Sequence, residues 1–400
     1  MPHVVQTETL VSEGILTADQ GAIIASRSRQ VMVSLVINSV LCLGIIAAAM
    51  GFVLWLGSAL AVAIVGALFL AIGALVLLKT DALYGMFGNA AALIGAGMLT
   101  FGMMADLVDK LGEYWGGIAL IVVGAVALAV TAFIFLRSGP TTRFLTGSVT
   151  LMAASLHVVG LYIWGSDVEL GGLSVPLIHG YVAVVLIGLG MLVDVRLVTA
   201  LAIVPFAQML ETGTFYWSAM YAFYSPETTL SILQLGAAMA VCIFLAKVLS
   251  DRYRRHTHMF GIMAFIVANL CFLVGSLWGD YVGQTIWGPG TSSYRYDGDY
   301  ADYRAALDAF EATALYINEH VYSIVWAVLL IIAAAWSAHT NRRGIFNASM
   351  TFGAIHAYTQ VFETFYDEPL AYVVGGLAAI PLAWGLWRLN NRFESQNLVA

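Results

Sequence analysis

His356, Gln360 and Glu363 recur at i, i+4 and i+7 in "IHAYTQVFETFYDEP", residues 355–369. On a helix that spacing draws one polar stripe along one face. An imidazole, an amide and a carboxylate in line can relay a proton, hold a cation or hydrogen-bond a polar solute. The chain around them is 60% hydrophobic, and ionisable groups set in such surroundings face a bundle interior or a wet cavity. The competing reading is packing, with His356 and Gln360 bridging to neighbouring helices and Glu363 reaching an aqueous rim.

A second constellation is "PFAQMLETGTFYW", where Gln208 and Glu211 stand at i and i+3. Pro205, one turn earlier, breaks the hydrogen-bond ladder and frees a carbonyl. A broken helix beside an amide and an acid is a transporter-like way to build an ion site; a kink with packing hydrogen bonds is the alternative. His157 and His179 fall at a depth comparable to His356 on separate helices. Three such histidines could form a proton relay, a metal site or axial haem ligands, or be isolated packing residues. Haem needs facing pairs of ligands, and a sequence does not show facing. Neither a cofactor nor a metal is assigned.

Asp297, Asp299 and Asp302 in "YDGDYADY" are only superficially calcium-like, because an EF-hand wants Gly where Asp302 stands. No phosphate loop, nucleophile elbow or H-E-x-x-H motif occurs, so nothing argues for an ATPase, a hydrolase or a nucleic-acid binder.

The elements that must position these residues are membrane helices. Charged residues make up 10% of the chain and mean hydropathy is +0.87, outside the range of soluble domains. Apolar runs long enough to cross ~30 Å of hydrocarbon recur throughout, and in lipid such runs must be helical. They predict an all-α polytopic protein of twelve spans. These lie near 31–55, 58–78, 83–105, 115–136, 143–165, 174–193, 197–217, 228–249, 259–279, 319–338, 344–364 and 369–388. The break between the sixth and seventh rests on "DVR" alone. Cys42, Cys242 and Cys271 all lie inside apolar runs and read as packing residues.

Charge orients the spans. With the N-terminus inside, 14 of 17 basic residues and only 7 of 24 acids fall on the cytosolic side. That is the positive-inside pattern, and miscounting one helix would destroy it. The expected plan is six tandem hairpins with both termini cytosolic, in a bacterial inner (plasma) membrane. Acids precede arginines in the first thirty residues, so the first span is expected to act as an uncleaved insertion signal.

Residues 1–30 form a cytosolic module in which Thr17 and Gln20 fit a capping box and Gly14 ends a preceding turn. Spans 1–9 occupy 31–279, an outer loop fills 280–318, spans 10–12 occupy 319–388, and a cytosolic tail runs over 389–400. The loop should hold an amphipathic helix with Leu307, Phe310 and Leu315 on one side.

"LVSEGILTADQGAIIASRSRQ", the tandem hairpins and "YTQVFETFYDEPLAYVVGGL" resemble a broad group of functionally uncharacterised bacterial polytopic membrane proteins. These share a short N-terminal module of the form L-x-x-x-G-I-(L/I)-(T/S)-x-x-Q. The resemblance implies fold and compartment and carries over no functional residue.

The leading reading is a solute or ion transporter with a polar site in the outer half of the bundle. The alternative is a non-catalytic scaffold or accessory subunit of a membrane complex. A redox or intramembrane enzyme would rest on the three histidines alone. Expected partners are membrane lipids and a homo-oligomer or larger membrane complex, with no nucleic acid.

Overall fold

The computed structural model describes residues 7–80, 84–168, 174–210, 227–290, 298–340 and 342–365, with scattered positions between 368 and 388. Glu211, Asp297, the last third of the expected seventh span and most of the twelfth lie outside the described residues. The structure is helical, and eight helices among the described residues are long and apolar enough to cross a membrane. The chain divides into two units, Met1–Gly171 and Gly172–Ala400.

In the first unit, α1 (Thr7–Ser12) ends at Gly14, whose φ of 73° is left-handed. Thr17 then caps α2 (Ala18–Leu56). Its hydroxyl accepts from Gln20 N at 3.3 Å, and Gln20 Oε1 accepts from Thr17 N at 3.0 Å. This is the capping box expected from the sequence. The helix it opens runs without interruption into the first span, so module and span share one rod of 39 residues, ~58 Å long. Gly57 (φ 58°) ends it and Ser58 caps α3 (Ala59–Lys79).

Helix α4 (Gly85–Arg137) covers 53 residues, but Gly112 at φ 76°, ψ 172° is not helical. A Cβ at Gly116 would meet Val108 Cα at 2.9 Å. Residues eight apart in a straight helix would be ~12 Å apart along its axis, so the chain doubles back there. The turn falls within "ADLVDKLGEYWGG", the expected second hairpin tip.

The limbs of α4 pack through small residues. A Cβ on Gly95 would lie 2.3 Å from Leu70 N, and one on Gly73 would lie 2.4 Å from Ala92 N. Gly88, Gly95 and Gly102 recur every seven residues, the period of a left-handed helix pair, and let α3 and α4 meet backbone to backbone. The second limb meets α5 (Arg143–Asp167) similarly, with Gly117 against Trp164 and Gly124 against His157.

The second unit contains α6 (Ser174–Val193), α7 (Arg196–Leu201), α8 (Ile203–Gln208), α9 (Thr228–Val248) and α10 (Asp251–Trp278). A two-residue ribbon pairs β1 (Asp280–Tyr281) with β2 (Tyr316–Ile317), enclosing α11 (Tyr300–Glu311), and α12 (Glu319–His339) and α13 (Arg343–Phe365) follow. Chain direction reverses at Asp194, which adopts φ 62°, a left-handed conformation that Asp tolerates better than most side chains. Pro205 has no N–H to give Leu201 O, and the helix lapses at Ala202 between α7 and α8.

Helix α10 is the hub, packing against α6, α7, α9, α12 and α13. Half of its most apolar window is buried, against 6% for Val36–Leu56 of α2. Its apolar face joins Ala202, Ile203, Leu235, Phe260, Ala264 and Val267 in one core, while Phe272, Tyr322, Trp326 and Phe352 form a second.

Two expectations are corrected. Helix α10 begins at Asp251, two turns before the expected start at 259. In the loop after α10, Tyr303 and Leu307 are the buried side of α11, whereas Leu315, expected on the same face, lies beyond the helix and is exposed. Asp299 serves as the helix cap, accepting from Ala301 N and Asp302 N at 2.8 and 2.9 Å.

Candidate functional site

The sequence-predicted residues end in different settings. His157, in the first unit, is buried, and its Nδ1 donates to Ile121 O across the α4–α5 seam at 2.9 Å. A carbonyl can only accept, so this ring carries its proton on Nδ1. That is an interhelical packing bond. The remaining described candidates belong to the second unit.

His179 is half-buried in α6 beside Gly180, which faces Met209. Gln208 is half-buried at the end of α8. His356 on α13 lies edge-on to Trp326, ring centroids 4.8 Å apart, and its buried Nδ1 has no hydrogen-bond partner among the described residues. Gln360 is half-buried, and Glu363, one turn further, is exposed. The stripe therefore passes from the α12–α13 contact to the surface. Among the described residues, no group of three or more His, Cys, Asp or Glu side chains is placed to hold a metal ion.

Buried polar groups instead gather along α10 in three layers. The first surrounds Asp280 just past its C-terminal end. Asp280 Oδ2 accepts from Thr229 N at 2.8 Å, from the Thr229 hydroxyl, and from the Tyr322 hydroxyl at 3.3 Å. Beside it Glu227, fully buried, accepts from Gly283 N, Thr285 N and the Thr285 hydroxyl. In the middle layer Asn269 accepts from Trp326 Nε1 at 2.8 Å and donates to Phe265 O at 2.8 Å. Trp326 is the ring that His356 touches.

The third layer, at the start of α10, was missed by sequence reasoning. His256 is fully buried; Nδ1 lies 2.7 Å from Thr199 Oγ1 and Nε2 lies 3.0 Å from Asp194 Oδ1. Thr199, also fully buried, sits on the bare backbone of Gly190, where a Cβ would approach its hydroxyl to 2.2 Å. Arg252 donates to Met191 O and Leu192 O, both at 2.8 Å, satisfying carbonyls left open at the end of α6. Arg252 and Arg255 also each approach Asp194 Oδ2 to 3.8 Å.

The His256 hydrogen bond, helped by these two guanidinium groups, holds the Asp194 carboxyl below the usual carboxylate range. A depressed carboxylate stabilises the fold above its unfolded pKa and ceases to do so as pH falls through the folded value. Acidification below about pH 4 should therefore loosen the α6–α7 turn. In Asp194→Asn that part of the pH dependence of thermal unfolding should vanish.

The same layer walls a cavity of about 400 Å³ lined by Thr199, Phe206, Gln234, Cys242, His256 and Phe260, among others. Gln234 Nε2 donates to Phe206 O at 2.5 Å, near the open end of α8, while its buried Oε1 has no partner among the described residues. A broken helix beside an amide thus exists, but its amide comes from α9.

Buried polar layers within a bundle of membrane-length helices define the class: a polytopic α-helical membrane protein. Comparison with known proteins adds no family, since no family model, curated protein or solved structure matches the chain.

Proposed function

We propose that this protein is a proton-linked carrier of a small solute or ion in a bacterial inner membrane. In this reading twelve spans form six hairpins with both termini in the cytosol. The charge distribution supports that orientation, and the resemblance of "LVSEGILTADQ" to the bacterial group supports the compartment.

The observation that carries the proposal is His256, bonded through both ring nitrogens between a chamber wall and a partly exposed acid. With Asp194 ionised, Nε2–H donates to it, and Nδ1 either accepts from Thr199 or, once protonated, donates to it. A proton reaching Asp194 from water can therefore be registered at Thr199, in the wall of the chamber. The chamber suits a small, largely apolar solute with one donor to give Gln234 Oε1. In this proposal the working layer is the one on α10 near the cytosolic side, and His356 belongs to the packing of α12 and α13.

The test is proton flux in proteoliposomes carrying a trapped pH-reporting dye under an imposed potential. The wild-type chain should acidify the lumen, and His256→Gln and Asp194→Asn should each slow it at least tenfold, a common effect of losing a proton-transfer group. A wild-type chain without flux, or variants that match it, would sink the carrier reading and favour a non-catalytic scaffold.

A further inference from the structure

A second and larger cleft, about 730 Å³, opens between α9, α10, α12 and the start of α13. Met239, Ile243, Ile262, Phe265 and Ala333 give it an apolar floor. Lys247, Arg254, His258, Arg342 and Arg343 stand around it. Their positions follow from the helix ends: Lys247 in the last turn of α9, Arg254 in the first turn of α10, and Arg342 and Arg343 where α13 begins.

Arg254 is engaged by Asp251. Among the described residues, no carboxylate pairs with Lys247, Arg342 or Arg343. The Arg342 guanidinium is steadied 5.1 Å above the Trp336 ring, a cation–π contact that leaves its N–H edge free to meet an anion. Three unneutralised cations over a hydrocarbon slot match one kind of occupant: a phosphate group bearing an acyl chain.

We propose that this cleft is a binding site for an anionic glycerophospholipid, its phosphate held by Lys247, Arg342 and Arg343 and one chain lying on Ile243, Ile262 and Phe265. A free phosphate would use the rim alone and leave the apolar floor open. α9, α10 and α12 are membrane-length helices, so the slot runs where bilayer hydrocarbon would reach it. The inference rests on the membrane reading, which recovery of the chain in the membrane fraction tests by itself, and not on transport. Cys242 and Thr257 line both this cleft and the smaller chamber, so a bound lipid would lie against the chamber wall.

Native mass spectrometry of the detergent-purified full chain tests the site. The probes are dioleoyl phosphatidylglycerol, dioleoyl phosphatidylcholine and glycerol 3-phosphate. Phosphatidylglycerol should bind at least tenfold tighter than either of the others. The Arg342→Gln/Arg343→Gln double variant should weaken it about 25-fold, taking about fivefold for each charge near a membrane surface. Ile243→Trp, at an exposed floor position, should obstruct the chain and weaken phosphatidylglycerol without altering the rim. Unchanged melting of both variants shows that they fold. Equal binding of phosphatidylcholine, equal binding of glycerol 3-phosphate, or folded variants that bind as the wild type does would each overturn the assignment.

Discussion

Gly95→Leu should unfold the first unit far more easily than the wild type, at a cost of about 3 kcal/mol or more, the upper end of overpacking effects. Even the first added carbon has nowhere to go, since its nearest neighbours are Leu70 N at 2.3 Å, Gly66 O at 2.6 Å and Phe69 C at 2.8 Å. All three are backbone atoms of α3. A side chain could rotate aside, but here the two helices must separate, and the seven-residue register spreads that separation to Gly88 and Gly102. Gly97, two residues along the same helix, has no atom of the described residues within 4 Å of its Cβ position. Gly97→Ala should be neutral or stabilise by up to ~1 kcal/mol, because helical glycine is entropically costly. Unfolding titrations in mixed detergent measure both. A Gly95→Leu protein as stable as Gly97→Ala would refute the backbone-to-backbone contact.

That contact shows what a sequence can and cannot disclose. The heptad Gly88, Gly95, Gly102 is present in the letters, but Gly66 and Gly73 are identifiable as its partners only once α3 and α4 are placed together. Local signals were legible. The Thr17–Gln20 box, the Gly14 and Gly57 helix ends, the Asp194 turn and the tip around Gly112 depend on neighbours a few residues apart, where chain geometry leaves few options. The polar stripe on α13 was legible as a pattern, yet its surroundings were not, because the ring against His356 comes from Trp326 on another helix.

His256 was missed for a physical reason. "DRYRRHTH" reads as a charged loop by composition, and hydropathy places the span after it. Its periodicity says otherwise. His256, Phe260, Ala264, Val267 and Cys271 continue one helical face through the charged stretch, while Arg254 and Arg255 turn outward. The first two turns of α10 are polar because their outer side meets water, and buried because α6 and α7 cover the other. Composition averages over the faces of a helix; period separates them.

Glu227 lies buried at the opposite end of the second unit, and among the described residues no cation pairs with it. Its two oxygens accept from Gly283 N, Thr285 N and the Thr285 hydroxyl, tying the segment after β1 to the start of α9. Glu227→Ala should leave these donors buried and unsatisfied, at about 1–3 kcal/mol for each. Losses within one network do not add simply, so the expected total is about 3 kcal/mol or more. Glu227→Gln separates chemistry from packing. Its volume is preserved, but one oxygen becomes an NH₂ that points a donor at a donor, so the amide should lose much of what the alanine loses. The segment cannot adjust easily, because Gly283 at φ 96° lies against the Trp287 ring, where a Cβ would come within 1.9 Å. Hydrogen exchange reads this directly. The Gly283 and Thr285 amides, protected in the wild type, should exchange at least 100-fold faster in Glu227→Ala, corresponding to about 2.7 kcal/mol of local opening. The α6–α7 turn around Asp194 should keep its wild-type rate. Unchanged protection at Gly283 and Thr285 in both variants would mean that the ribbon between β1 and β2 holds the segment without the carboxylate.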